Sequence, residues 1–342
     1  MTRSEMFMEF LLYEWIGKPV WMWVAFLSIV FGLLAFDLGV LHKEDKEMGI
    51  SESLYLSAFY IGFAMLFGGG IWWAYEAGHI VTSDGTHAGV TYFTGFFIEK
   101  ALSIDNVFVI SLIFGFFAIP RKYQYRALVW GIIAVIVLRG LMIGIGAALV
   151  QEYDWLLYIF GAFLIATGIK MLFVPEGDAD ISKNPVVKFL RRHMRVTDAL
   201  HGEKFFVRQP DPKTNKLVVW ATPLFLALVV INLADLVFAV DSVPAIFAIT
   251  TDTFIVYTAN IMAILGLRAL YFALSAMIHR FHYLKYALAL VLVFIGGKIF
   301  WNQLFGKLDP AISLGVTLAL IAGGVLFSLW KTRNDPPAEK LA

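Results

Sequence analysis

Four carboxylates stand inside otherwise apolar stretches of this sequence, and their spacing repeats. Glu99 and Asp105 are six residues apart in IEKALSIDNVFVI, and Asp235 and Asp241 are six apart in LADLVFAVDSVPAIF. About 20 apolar residues cross the hydrocarbon core of a bilayer. A carboxylate at mid-helix there costs about 2.5–3.5 kcal/mol on insertion scales, so acids in such runs point to a ligand site or an ion path. Neutral oxygen donors accompany them. Asn106 follows Asp105, Ser242 follows Asp241, Asn232 lies three before Asp235, and Ser103 lies one turn from Glu99. An oxygen-only set selects hard divalent cations such as Mg²⁺, Ca²⁺ or Mn²⁺. The histidines, from His42 to His282, all fall in loops or at span ends, which argues against Zn²⁺, Cu²⁺ or Ni²⁺. The candidate metal set is therefore Glu99, Asp105, Asn106, Asn232, Asp235, Asp241 and Ser242.

Bases share the same runs: Lys100, Arg139, Lys170, Arg268 and Lys298. They are candidates for ion pairing or coupling. Two readings stand. The acids bind a transported cation and the bases hold them when it is absent, or the whole set locks the bundle by structural ion pairs. Lys170 and Lys298 also have the reach to snorkel toward an interface. Asp37, near the inner end of the first span, is a further candidate and equally a helix-end residue. Six residues of ideal helix rotate two side chains by about 120°. Either the helices are unwound at mid-span, or one acid of each pair binds the ligand and the other meets a base.

The elements that must position these residues are membrane spans. The chain has 342 residues, 60% hydrophobic and 15% charged, far from the balance of a soluble domain. Apolar runs near 20–41, 53–75, 90–119, 124–150, 155–174, 219–249, 253–278, 283–305 and 309–330 predict an all-α polytopic membrane protein with about nine transmembrane helices. Residues 1–19 read as an N-terminal interfacial segment without a signal-peptide pattern. Nineteen Lys and Arg lie in connections 42–52, 120–126, 175–218 and 279–285 and in the tail 331–342, against Arg3, Lys18 and Lys307 on the other side. That bias puts the N-terminus outside and the C-terminus in the cytoplasm. The connection 175–218 reads as a cytoplasmic solvated linker with one short helix near 185–200. Pro244 predicts a kink or break just after Asp241, because it cannot bond the carbonyl of Val240.

The spans repeat in threes. Beyond the paired acids, VLRG carries Arg139 in span four and GLRA carries Arg268 in span seven. YIFGAFLIATGIKML in span five matches YALALVLVFIGGKIF in span eight, so Tyr158, Gly168 and Lys170 answer to Tyr286, Gly296 and Lys298. Residues 90–174 and 219–305 thus form two three-helix units, with spans 20–75 before them and span 309–330 after. An odd number of spans per unit makes the second copy enter from the opposite side, the inverted repeat of many secondary transporters, with the site where the halves meet.

Several classes are excluded or disfavoured. With no cysteine there is no disulfide framework and no thiolate site. An intramembrane aspartyl protease needs two acids sharing a proton, and the matched bases would quench such a pair. No enzyme activity, organic cofactor or nucleic-acid partner is expected. The partners are a divalent cation and the lipid bilayer. A non-transporting membrane sensor or assembly protein remains the alternative.

EKALSIDNVFV, DLVFAVDSVPAIFAITTD, GLRALYF and LKYALALVLVFIGGKIF together resemble the TerC family of integral membrane proteins, over roughly residues 20–330. The similarity is greatest to its Alx-type branch of manganese exporters, and it relates the fold to the LysE superfamily. The resemblance implies export of Mn²⁺ across the bacterial inner membrane, with the family's functional acids falling on Glu99, Asp105, Asp235 and Asp241. One position departs. Three residues before the first Asp of the second motif the family usually has an acid, and this chain has Asn232.

Overall fold

The computed structural model describes residues 3–37, 49–76, 87–153, 155–173, 185–211, 215–274, 283–306 and 308–333. Helix α1 (Arg3–Leu12) leads into a two-residue hairpin of β1 (Glu14–Trp15) and β2 (Lys18–Pro19), and then into α2 (Val20–Phe36). Helices α3 (Ile50–Glu76), α4 (Ala88–Phe116), α5 (Arg121–Glu152) and α6 (Leu156–Phe173) follow. A folded connection holds α7 (Pro185–His193), β3 (Phe206–Pro210) and β4 (Leu217–Ala221). The chain continues as α8 (Pro223–Phe247), α9 (Thr253–Leu265), α10 (Leu267–Leu274), α11 (Leu284–Phe305) and α12 (Pro310–Lys331).

The architecture is that of an all-α polytopic membrane protein with two small β-hairpins. Among the described residues seven helical segments are long and apolar enough to cross a membrane, with α9 and α10 counting as one. Two further helices stand outside that set for different reasons. α2 is apolar but only 17 residues long. α4 has 29 residues, about 43 Å at 1.5 Å per residue, but carries Glu99, Lys100 and Asp105.

Helix α9 is the axis of the bundle. All its residues are buried, and α2, α3, α4 and α5 pack around it. Of those seven segments, α6 and α12 are the least buried, with only 17% of their apolar windows covered by the rest of the protein. α4 packs on α9 and α8, α5 packs on α8 and α9, and α6 lies along α11. The last contact is close enough to demand glycine. A Cβ on Gly296 would lie 2.6 Å from the carbonyl oxygen of Gly161, and one on Gly168 would lie 2.6 Å from that of Ala289. These are the two glycines that answer to each other in the sequence repeat.

α2 is held to the central pair at both ends. Lys18, just before α2, bonds Asp252, just before α9, at 2.8 Å, and both side chains are buried. Asp37, just after α2, pairs with Arg268 of α10 in a second buried bridge. α2 and α9–α10 therefore run in the same direction side by side. Asp252 also caps α9, accepting from the backbone N–H groups of Phe254 and Ile255.

Two expectations change. Residues 185–221 are not a solvated linker. Val187 and Leu190 of α7, with Met194 just after it, pack with Leu224 and Ala227 of α8. FVRQP and LVVWA alternate as strands and pair in register from Phe206↔Ala221 to Pro210↔Leu217. Arg126 of α5 bonds Glu203 at 3.3 Å, tying this unit to the bundle. Nor does α8 break after Asp241: it runs through Pro244 to Phe247. Pro244 costs α8 one backbone bond within its last turn, where the helix is about to end anyway.

Candidate functional site

Arg139 lies at mid-length of α5, an apolar helix, and is 1% exposed. A guanidinium carries five N–H donors and no acceptor, so burying it requires acceptors on several sides. Three helices supply them. Nε and Nη2 form a forked pair with Asp235 of α8, at 3.1 Å to Oδ2 and 3.0 Å to Oδ1. Nη1 pairs with Glu99 of α4 and donates to Asn260 Oδ1 of α9 at 2.9 Å and to Ser242 Oγ of α8 at 3.3 Å. The fork is the arrangement in which Arg binds a carboxylate most strongly.

The ring closes around the acids. Asn260 Nδ2 donates to the second oxygen of Glu99 at 3.0 Å. Asn106 Nδ2 donates to Asp235 Oδ1 at 3.3 Å. Two amide oxygens are left over: Asn106 Oδ1 and Asn232 Oδ1 are buried without a hydrogen-bond partner among the described residues. The Asn232 amide group instead donates to the carbonyl of Leu228 on its own helix, at 2.8 Å. Glu99, Asp235 and Arg139 together leave one negative charge in excess. In an apolar interior that excess calls for a further cation or a proton.

Glu99, Asn106, Asp235, Ser242 and Arg139 are thus brought together, with Asn232 one turn before Asp235. The side chains of Asp105 and Asp241 lie outside the described residues. Among the described residues no three acids or histidines converge in a way that would hold a metal. Ser103 bonds the backbone carbonyl of Glu99 at 2.7 Å, so its hydroxyl serves its own helix. Lys100 turns away from the network and donates to Ala263 O at 3.0 Å. Gly266, between α9 and α10, lets it pass, since a Cβ there would sit 2.9 Å from Lys100 Nζ.

The repeat-related bases part company. Arg268 meets Asp37 rather than Glu99 or Asp235, and lies over the Tyr125 ring at 4.4 Å. Lys170 is exposed, whereas Lys298 is buried and donates to Ser313 of α12 at 3.2 Å. Lys298 differs because α12 packs along α11, and Arg268 differs because Asp37, just after α2, reaches α10.

Three features escaped sequence reasoning. Asn260 has no counterpart in the repeat, and its signal was a lone amide in TFIVYTANIMAIL. The Lys18–Asp252 bridge joins residues far apart in sequence. Gln124 accepts from Tyr271 at 2.9 Å and donates to Ile119 O at 2.8 Å, beside a cavity of about 320 Å³ at the end of α4 lined by Ser111, Arg121, Gln124 and Tyr271.

Comparison with known proteins agrees with this architecture. The family described as "Integral membrane protein TerC family" matches residues 84–336. An uncharacterized membrane protein of Rickettsia bellii is 47% identical over 307 residues, 90% of this chain and 96% of its own. Proteins whose printed name is "Putative membrane-bound redox modulator Alx" are 40% identical in Photorhabdus laumondii, over 92% of this chain and 96% of theirs, and 40% identical in Escherichia coli K12 with the same coverage. No solved structure matches the chain significantly.

Proposed function

The chain belongs to the TerC family of integral membrane proteins, and from that premise we propose that it is a secondary transporter exporting Mn²⁺. The observation that carries this reading is the Arg139 network. Two carboxylates from different helices close on one internal cation at the middle of a membrane bundle, with one negative charge uncompensated and two amide oxygens unused. Such a site is built for positive charge. A divalent cation arriving there takes the oxygens of Glu99 and Asp235, with Asn106 Oδ1 and Asn232 Oδ1 as neutral ligands, and Asp105 and Asp241 complete the cage. Arg139 is the resident cation that the metal displaces and that returns as it leaves. Its return keeps two acids from being stranded in apolar surroundings.

The nine-span, inverted-repeat plan is part of the proposal. It is supported by α4 packing on α9 while its counterpart α8 packs on α5, and by α6 packing on its own counterpart α11. Sidedness is internally consistent. Lys18, Tyr75 and Asp252 meet at one end, and Asp37, Tyr125 and Arg268 at the other, as alternating crossings require. The Lys and Arg bias assigns the first end to the outside of the inner membrane and the C-terminus to the cytoplasm. Of the relatives' printed redox role, only an indirect form fits here. This chain has no cysteine and so no thiol to cycle, but moving a redox-active metal would alter redox balance.

The second reading, a sensor or assembly protein locked by ion pairs, draws on the same closure of the Arg139 network. Transport decides between them. Purified protein in proteoliposomes should move Mn²⁺ against a panel of Mg²⁺, Ca²⁺ and Zn²⁺. A total lack of cation movement under proton and metal gradients of either sign would leave only the second reading.

A further inference from the structure

The folded connection between α6 and α8 carries a face that transport does not use. In α7, PVVKFLRRH, Val187 is buried and Leu190 packs into the same cluster as Leu224 and Ala227 of α8. One stripe of the helix thus faces the protein, and the other faces out. The outward residues are Lys188, Phe189, Arg191, Arg192 and His193, all exposed. Phe189 is 59% exposed and stacks on His193 with ring centroids 4.1 Å apart. Among the described residues Lys188, Arg191 and Arg192 enter no ion pair, while two acids of the same connection are committed elsewhere, Glu203 to Arg126 and Asp211 to Arg195. Among the described residues, three cations outside any ion pair around an exposed aromatic, on a helix that itself carries no acid, is more than a solvated helix needs.

The position of this face selects its partner. α7 packs on the first turns of α8, which is a membrane span, so the face is held at the level where α8 enters the bilayer. We propose that α7 docks on anionic lipid headgroups of that leaflet. Lys188, Arg191 and Arg192 meet the phosphates, and the Phe189 ring enters the headgroup–acyl boundary. Docking fixes the start of the helix that carries Asp235, so lipid charge becomes an input to the site. The inference needs the chain to be a membrane protein but does not rest on the metal it moves.

The full chain tests this directly. Having no cysteine, it accepts a single nitroxide at Phe189→Cys, whose depth is read in nanodiscs from accessibility to oxygen and to a nickel chelate. In bilayers of phosphatidylcholine mixed with phosphatidylglycerol the label should be open to oxygen and shielded from the chelate. In phosphatidylcholine alone it should turn aqueous. Adding Lys188→Gln, Arg191→Gln or Arg192→Gln should each lower the docked-to-free ratio about fivefold, while Lys188→Arg retains docking. A label open to the chelate in both bilayers overturns the proposal. So does shielding from both reagents, which marks a protein partner or second copy, or shielding that appears only when RNA is added.

Discussion

Asn260 bridges Arg139 and Glu99: its carbonyl oxygen accepts from the guanidinium at 2.9 Å, and its amide nitrogen donates to the carboxylate at 3.0 Å. The residue is fully buried on the central helix, so the bridge ties α9 to α4 and α5 at the same point. It also defines which way the amide must face.

Replacing Asn260 tests that relationship. Asn260→Leu leaves a buried donor and a buried acceptor short of partners, which should lower stability by about 1–3 kcal/mol. Asn260→Asp should hold Arg139 but repel Glu99, and should slow transport more than it lowers the melting temperature. Thermal melts in detergent beside Mn²⁺ flux would separate the two effects. Equal flux in all three proteins would remove Asn260 from the working site.

Arg139→Met strands two buried carboxylates and should cost about 3–5 kcal/mol. Adding Glu99→Gln and Asp235→Asn removes the stranded charge and should recover most of that stability without recovering transport. A structural lock predicts the same recovery of stability together with intact physiological function. Manganese tolerance of cells carrying the triple variant is the measurement that distinguishes them.

Asn232 carries an unpartnered buried oxygen. Asn232→Glu should bind Mn²⁺ more tightly, since it adds charge beside the ion in a poorly screened site. It should also steepen the pH dependence of transport by adding a titrating group. Asn232→Leu should weaken binding. Calorimetry at two pH values checks all three forms, and identical affinities would mean that the amide merely packs.

The Lys18–Asp252 bridge is expected to stabilise the N-terminal end of α9. Lys18→Met removes a buried cation from Asp252, at a cost of about 3–5 kcal/mol. Lys18→Met with Asp252→Asn should be milder, because Asn retains the cap on Phe254 and Ile255. A double-mutant cycle by thermal unfolding reads the coupling, and additive effects would show the pair to be energetically idle.

Sidedness is open to a labelling test. Arg192→Cys should resist an impermeant thiol reagent in intact cells and react in inverted vesicles, whereas a Cys at position 83 should do the reverse. Labelling of both from outside would contradict the assigned orientation.

The helical membrane architecture was legible from the sequence because a bilayer is a one-dimensional constraint: a segment either carries enough consecutive apolar residues to cross or it does not. The acids were equally legible, since charge inside such a segment is expensive wherever it points. Partner choice was not. VLRG and GLRA look alike, yet Arg139 takes Glu99 and Asp235 while Arg268 takes Asp37, 231 residues away in sequence. That choice depends on the end of α2 lying beside α10, which no local pattern encodes. The fold of residues 185–221 was hidden for a different reason. Its nine-residue helix buries an apolar stripe only because α8 offers a surface to bury it on. Pro244 shows the limit of a local rule: it forbids one hydrogen bond, and whether the helix breaks there depends on how soon it ends. Composition and spacing determined what the chain dissolves in and which groups pay for being inside it, and only tertiary packing decided which of those groups meet.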